Sequence, residues 1–183
     1  MIKRKKSKKK QTVKAKLKRY KKEDGSGNKE TLPEKLFREL LQSCNLSYHQ
    51  EYKVAHKQLV KSYDFCIFKR KEGYEENVYD WRLLVEVHGD YWHSWAYFEG
   101  TKKRKDLSKV QKKNLRNDLL KRKIANLYNF PILYIWEHEL KNNYSGIKKR
   151  LLTVLEYIKN SEYDIPQYII KDPYIEESKY QLS

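Results

Sequence analysis

The basic N-terminal segment limits where this chain of 183 residues can fold. Residues 1–22 contain 13 Lys or Arg and no acidic residue, which supplies +13 of the net charge of +17. Such a segment does not bury enough apolar surface to offset the entropy of ordering it, so it is expected to be disordered when free. The Gly/Ser/Asn-containing residues 23–29, EDGSGNK, have the composition of a linker. The sequence therefore predicts a basic arm and linker over residues 1–30, one domain over 31–160 and an extended or loosely docked tail over 161–183.

Composition excludes several classes of protein. Only Cys44 and Cys66 are present, which excludes a disulfide framework and a four-cysteine zinc site. No stretch approaches the ~18 consecutive apolar residues of a membrane span, and residues 1–22 lack the apolar stretch of a secretory signal. The expectation is a cytoplasmic protein that is not secreted and has no membrane partner.

The basic arm is suited to a polyanion. Release of counterions from phosphates would drive binding to a nucleic acid without reading its sequence. The alternative is a solubility tail or a localisation signal. The residues expected to contact a nucleic acid in this way are Lys3, Arg4, Lys5, Lys6, Lys8, Lys9 and Lys10.

Hydrophobic periodicity predicts the order helix, three strands, helix, strand, helix. The predicted helices cover residues 32–44, 107–127 and about 147–158. The predicted strands cover residues 48–54, 63–68, 78–88 and 130–136. The first three strands are expected to form an antiparallel meander, and the fourth is too apolar for an edge strand, so it is expected inside the sheet. This order indicates an α/β fold with one mixed central sheet flanked by helices.

The densest group of chemically active residues is VEVHGDYWH, residues 85–93. Strand alternation places Glu86 and His88 on one face, Gly89 ends the strand, and His93 follows on a turn or loop. A carboxylate and two imidazoles beside a strand end are suited to binding a hard metal ion and to proton transfer. The alternative is that Glu86 and His88 form a solvated strand face.

Asp64, in the segment YDF, lies on the preceding predicted strand. Alternation puts its carboxylate on the face of Cys66 and Phe68, and a hairpin would bring it to the same sheet end as Glu86. Two converging carboxylates would bind Mg²⁺, which takes its other ligands from water and phosphate oxygens. A bound water could act as nucleophile once His93 or His88 removes its proton. The alternative is a strand-start carboxylate that makes a turn hydrogen bond.

Five segments together resemble a known group of nucleases. They are TLPEKLFRELL, YDF, VEVHGDYWH, KNLRNDLLKRK and ILYIWEHEL, in that order over residues 31–140. They are similar to very-short-patch repair (Vsr) endonucleases and to the related phage homing endonucleases with the motif EDxHD, within the PD-(D/E)XK superfamily. His88 stands where most PD-(D/E)XK enzymes have a lysine.

The resemblance implies a restriction-endonuclease-like core and a function. The expected function is hydrolysis of phosphodiester bonds in double-stranded DNA, with Mg²⁺ or Mn²⁺, by a phage or mobile-element homing endonuclease in a bacterial or phage-infected cell. One alternative is a mismatch or restriction-type nicking endonuclease. Another is a nucleic-acid-binding module without catalysis. Monomer and dimer both remain open.

The resemblance also implies roles for individual residues. Asp64 would bind the metal together with the backbone carbonyl of Val87, and Glu86 would add a second carboxylate. His93 would be the general base, oriented by Asp118. Such a pair fixes the imidazole tautomer and makes the ring more basic.

Glu34 and Asp118 also have structural interpretations. Glu34 would organise metal-bound water according to the resemblance, but Thr31 and Glu34 also form a capping-box pattern. Asp118 precedes Lys121 and Arg122 by three and four residues, which is the spacing of an exposed ion pair on a helix.

The sequence departs from the repair enzymes at their structural zinc and agrees at their aromatic wedge. No structural zinc is expected, which disfavours mismatch repair. The wedge corresponds to Tyr91 and Trp92, which would either stack between DNA bases or pack in the core. The positions that correspond to the zinc ligands are Asp90, Trp95, Tyr97 and His138.

Overall fold

The computed structural model describes residues 30–73, 78–160, 165 and 167–174. The strands are β1 (Tyr48–His56), β2 (Leu59–Arg70), β3 (Tyr79–His88) and β4 (Ile132–Trp136). The helices are α1 (Leu32–Ser43), α2 (Trp95–Phe98), α3 (Lys109–Leu127), α4 (Glu137–Asn142), α5 (Tyr144–Lys159) and α6 (Gln167–Ile170). A short 3₁₀ helix, Arg104–Asp106, precedes α3. The basic arm, with Lys3 to Lys10, lies outside the described residues.

The four strands form one mixed sheet in the order β1-β2-β3-β4. β1, β2 and β3 are an antiparallel meander, as the sequence predicts. β4 pairs with β3 in parallel, with α3 in the connection between them. Two neighbouring parallel strands need such a crossover because the chain must return to the end of the sheet at which the first strand begins. The α/β class and the mixed sheet flanked by helices are confirmed, and no described helix is long and apolar enough to cross a membrane.

β4 lies at the edge of the sheet, so the prediction of an interior strand is wrong. All five of its residues are nevertheless buried. Helices cover both faces of the sheet, and this covering, rather than a second neighbouring strand, explains the apolar sequence. The Arg150 guanidinium donates to the carbonyl oxygen of Tyr134 at 3.1 Å, which satisfies one polar backbone group of this strand.

Two apolar clusters cover the two faces of the sheet. One joins Phe65, Val85 and Leu133 to helices α1, α4 and α5. The other joins Leu84 and Tyr134 to α3. Because both faces are covered, polar residues on β3 that face α3 are buried as well.

Alternation along β2 is interrupted at Asp64. Tyr63 packs in the α3-side cluster with Cys66, whereas Phe65 lies in the opposite cluster. Strict alternation, which would put Tyr63 and Phe65 on one face, therefore fails at this point. The interruption lies opposite Glu51 of β1, between the residues paired with Tyr63 and Phe65, and Glu51 has a left-handed φ of 51°.

The described part of the C-terminal segment packs closely against the domain. Ile169 and Tyr174 are buried, and Tyr174 is 0% exposed. The prediction of an extended or loosely docked tail is wrong for residues 167–174, because these apolar side chains join the two clusters. The other residues of 161–183, except Ile165, lie outside the described part.

Candidate active site

Asp64 lies where β2 and β3 separate. The last backbone pair of these strands is Phe65 with Val85. Beyond it, the backbone N–H of Val87 donates to Oδ2 of Asp64 at 2.7 Å. Burial raises the pKa of Asp64, while Lys121 and the Val87 N–H act in the opposite direction. The carboxylate is thus fixed between two strands in a position that disfavours its charged form.

Glu86 is held by a buried lysine from α3. Both carboxylate oxygens accept from Nζ of Lys121, at 2.9 and 2.8 Å. The side chains of Lys121 and Glu86 are only 14% and 3% exposed. Burial, followed by the charge of Asp64, raises the pKa of Glu86 well above its ordinary value. The alternative of a solvated strand face is therefore wrong for Glu86.

Lys121 is in turn positioned by Tyr63. The Tyr63 hydroxyl donates to the backbone carbonyl of Lys121 at 2.7 Å. The Tyr63 ring lies 5.8 Å from Nζ, within cation–π range. Burial alone would lower the pKa of Lys121, but Glu86 and Asp64 outweigh it and raise that pKa. Lys121 therefore acts as a fixed positive charge between two acidic residues.

His93 and Asp118 form a hydrogen-bonded pair. His93 Nδ1 lies 2.8 Å from Oδ2 of Asp118, which is 2% exposed. The hydroxyl of Tyr174 donates to the same oxygen at 3.0 Å. Asp118 does not pair with its helix neighbours, since Lys121 bonds Glu86 and Arg122 bonds Asp172. The alternative of an exposed ion pair is wrong for Asp118.

His88 is a buried neutral ring beneath His93. The two imidazoles stack at 4.0 Å with an angle of 7° between their planes. Burial, followed by His93 and Lys121, lowers the pKa of His88 well below its ordinary value. His88 is 0% exposed, so it is not part of a solvated strand face either. Its position makes it a support for His93.

His88, His93 and Asp118 also form a possible metal cluster, because their ligand atoms lie within 4.8 Å of one another. Imidazole donors suit zinc and similar transition metals. The lone pairs of an imidazole lie in the ring plane, so those of two rings stacked face to face do not converge on one point. The carboxylates of Asp64 and Glu86 are the better donors for Mg²⁺, which prefers oxygen ligands.

Glu34 forms the predicted capping box. Its carboxylate accepts from the Thr31 N–H at 3.2 Å, and its own N–H donates to the Thr31 hydroxyl at 3.4 Å. The charge of Glu34 also contributes to raising the pKa of Asp64. Glu34 therefore lies close enough to act on the site while it caps α1.

Tyr91 and Trp92 are on the surface. They are 63% and 56% exposed and contact each other edge to face at 5.1 Å. The alternative that both rings pack in the core is wrong. Gln111 and Asn114 of α3 donate to the backbone carbonyls of Tyr91 and Trp92, at 2.7 and 3.1 Å. The two exposed rings are thus held on a braced turn.

The positions that correspond to zinc ligands in the repair enzymes make other contacts. His138 Nδ1 lies 2.8 Å from a carboxylate oxygen of Asp90. The ring of Trp95 packs on His138 at 4.4 Å, and Tyr97 contacts Phe98 at 5.2 Å. These positions therefore hold a histidine–aspartate hydrogen bond and aromatic packing.

Sequence reasoning missed two residues of the site, Lys121 and Tyr174. Lys121 follows Asp118 by three residues, so both share one face of α3, and a buried Asp118 would have indicated a buried Lys121. Tyr174 bonds an oxygen 56 residues away in sequence, and no local pattern marks it.

Comparisons with known proteins identify no relative, because no family model, curated protein or solved structure matches this chain. An interpretation of the site therefore depends on its own residues and their geometry.

Proposed function

We propose that this protein is a Mg²⁺-dependent DNA endonuclease with a PD-(D/E)XK-type core, similar to the Vsr-like and EDxHD homing enzymes. The observation that carries the proposal is that partly buried Asp64 and buried Glu86 lie with a histidine–aspartate pair at the end of β3. These residues come from β2, β3, the following turn and α3, so the fold brings together groups that are distant in sequence.

The donor set is suited to a divalent cation. Asp64, Glu86 and Asp118 are three carboxylates near one ammonium, that of Lys121. Burial raises the pKa of both Asp64 and Glu86, and a divalent ion would favour their charged forms in opposition to that effect. Mg²⁺ would be held by Asp64 with the Val87 carbonyl, and by Glu86 if Lys121 releases it. When bound, it would polarise a phosphate and lower the pKa of a water molecule.

The protein side chains would accept the proton that the attacking water loses. Asp118 engages Nδ1 of His93, so Nε2 remains to accept a proton from the attacking water. Asp118 would stabilise the resulting imidazolium, and stacked His88 would keep the ring in place. This geometry favours His93 over His88 as the general base, since His88 is fully buried.

The expected substrate is double-stranded DNA. Exposed Tyr91 and Trp92 are suited to stacking on bases, and the basic arm is suited to phosphates. Homing by a phage or mobile element is the preferred biology, on the basis of the resemblance.

The test compares the wild type with the Asp64→Ala variant in metal-dependent cleavage of plasmid and genomic DNA. Wild type should cleave with Mg²⁺ or Mn²⁺ and be inactive in EDTA. Asp64→Ala should lose cleavage and keep DNA binding. The matched control is Asp80→Ala, which removes an exposed aspartate of β3 that pairs only loosely with Lys69, at 3.6 Å. It should cleave like wild type.

The cleavage products separate the candidate functions. A defined break in genomic DNA would support homing, and a nick at a mismatch would support a repair role. DNA binding without cleavage by wild type would contradict the nuclease proposal and favour a non-catalytic module.

A further inference from the structure

A second concentration of positive charge lies inside the folded domain. Residues 102–116 contain eight Lys or Arg and one acidic residue, Asp106, a net charge of +7. Residues 23–183 as a whole carry +4, so the rest of them carry −3. We call these eight cations the basic strip: Lys102, Lys103, Arg104, Lys105, Lys109, Lys112, Lys113 and Arg116.

The basic strip is arranged along one side of the domain. Lys109, Lys113 and Arg116 are exposed and follow one another at spacings of four and three residues, so they share one face of α3. Lys103 and Lys105 are exposed in the segment that leads into this helix. Like charges held this close repel one another, which is a cost that a bound polyanion would remove.

The strip and the candidate site use opposite faces of α3. Gln111 and Asn114 brace the turn that presents Tyr91 and Trp92, and Asp118 bonds the candidate base. At about 100° per residue, Asp118 lies about 200° around the helix axis from Arg116. α3 therefore joins an exposed basic face to a buried face that carries the site.

We propose that the basic strip binds the phosphate backbone of duplex DNA, an inference that rests on the proposed function. From Lys109 to Arg116, α3 rises about 10 Å, at ~1.5 Å per residue. This is the length of roughly three nucleotides of one DNA strand, at ~3.4 Å each. The part of the strip on α3 is therefore long enough to contact several successive phosphates.

The test compares two quadruple variants of the full chain. The strip variant carries Lys103→Ala, Lys105→Ala, Lys109→Ala and Lys113→Ala. The control variant carries Lys35→Ala, Lys57→Ala, Lys149→Ala and Lys159→Ala, which are exposed lysines on other elements. Both lose four charges, so only the position of the charge differs. Binding to a short labelled duplex is measured by fluorescence anisotropy in EDTA over a range of salt concentrations.

The strip variant should bind DNA at least about tenfold more weakly at 0.15 M salt. Its slope of log affinity against log salt should fall by roughly 0.9 for each lost phosphate contact. The control should keep the wild-type slope, and thermal unfolding should show that all three proteins are folded. Equal slopes for the two variants would overturn the proposal.

Two further measurements separate DNA from a membrane surface and binding from hydrolysis. A strip variant that loses binding to phosphatidylserine vesicles but keeps its DNA affinity would overturn the proposal in favour of a membrane surface. Because binding is measured without metal, its outcome is separate from that of hydrolysis. If the wild type does not cleave DNA but the strip variant binds DNA more weakly than the wild type, the nuclease proposal is refuted. The proposal that the basic strip binds DNA is then still supported.

Discussion

At the scale of single residues, the balance of charge around Asp64 and Glu86 determines what the site binds. Lys121 is the buried cation that stabilises both carboxylates, and it holds Glu86 through two hydrogen bonds. A divalent ion that used Glu86 as a direct ligand would compete with this ammonium. Under the proposed function, Lys121 would therefore lower the affinity of the site for such an ion.

Lys121→Met tests this balance. In metal-free buffer near pH 8 we expect it to lower the free energy of unfolding by about 3–5 kcal/mol, because it leaves a buried carboxylate without its partner. Adding Glu86→Gln to Lys121→Met should recover part of the loss, which a double-mutant cycle by chemical denaturation would measure. A double variant whose losses are simply additive would contradict the coupling of these two residues.

A second prediction separates two similar histidine–aspartate pairs. His93→Ala should lower the cleavage rate by about 10²- to 10⁴-fold, the usual contribution of a proton-transfer group, and leave DNA binding unchanged. Added imidazole should restore part of the rate. The control is His138→Ala, since His138 contacts Asp90 at the same 2.8 Å and packs against Trp95. A similar loss of rate in both variants would remove the special role of His93.

The sequence predicts the acidic and imidazole residues of the site better than their surroundings. The motif around Glu86 and His93 is local, and the resemblance supplies the distant partner Asp118. Burial is not predicted, because alternation shows which residues share a face but not whether a helix covers it. For this reason the sequence does not distinguish His88, a buried support, from His93 as the base.

At the scale of elements, the first turn of helix α1 contains Glu34, which has an observed structural role and a proposed chemical role. Glu34 closes the capping box with Thr31 and also places a negative charge near Asp64. A capping box accepts Gln as well as Glu at this position, because either side chain can accept the N-cap N–H. The cap and the charge can therefore be separated by mutation.

We expect Glu34→Gln to keep the stability of wild type and to lower the rate of Mg²⁺-dependent cleavage, since it retains the cap and removes the charge. Thr31→Ala should do the reverse, with a loss of about 1 kcal/mol in stability and a wild-type rate. Thermal unfolding and a plasmid cleavage assay measure the two effects. Wild-type cleavage by Glu34→Gln would show that Glu34 only caps α1.

The elements themselves follow closely from periodicity, and the errors have identifiable causes. The predicted helix 107–127 is observed as Lys109–Leu127, and the predicted meander is present. The composition of β4 does not show whether it lies at the edge or inside the sheet. A strand covered by helices and a strand between two other strands both have an apolar sequence. The change of face at Asp64 lies opposite a left-handed residue, Glu51, in the neighbouring strand, and neither feature has a strong sequence signal.

At the scale of the whole molecule, basic residues are concentrated in the arm and the basic strip, whereas acidic residues that are partly or fully buried lie together at the candidate site. Asp64 and Glu86 lie in a position where burial raises the pKa of both. At a pH between the ordinary and the raised pKa of each group, the native state without metal therefore binds more protons than the unfolded state. This difference makes the stability of the whole domain depend on pH and on divalent cations.

The contribution of Asp64 to the stability of the domain decreases as pH rises. The ordinary pKa of Asp64 is 3.8, and its native pKa is higher, so its stabilising contribution is complete below 3.8 and is lost as pH rises through the native pKa. Each unit of difference corresponds to about 1.4 kcal/mol. We therefore expect the metal-free protein to lose stability on going from acidic to neutral pH, as measured by denaturant unfolding at a series of pH values.

Asp64→Asn should flatten this pH dependence, because the amide keeps an oxygen for the Val87 N–H and carries no charge. Mg²⁺ should restore the stability of wild type at neutral pH, by about 2.7 kcal/mol at a concentration of 100 times Kd, since it binds only the native state. It should leave Asp64→Asn nearly unchanged, whereas the control Asp80→Asn should respond like wild type. Equal pH profiles and an equal response to Mg²⁺ in wild type and Asp64→Asn would place the metal elsewhere and remove Asp64 from the site.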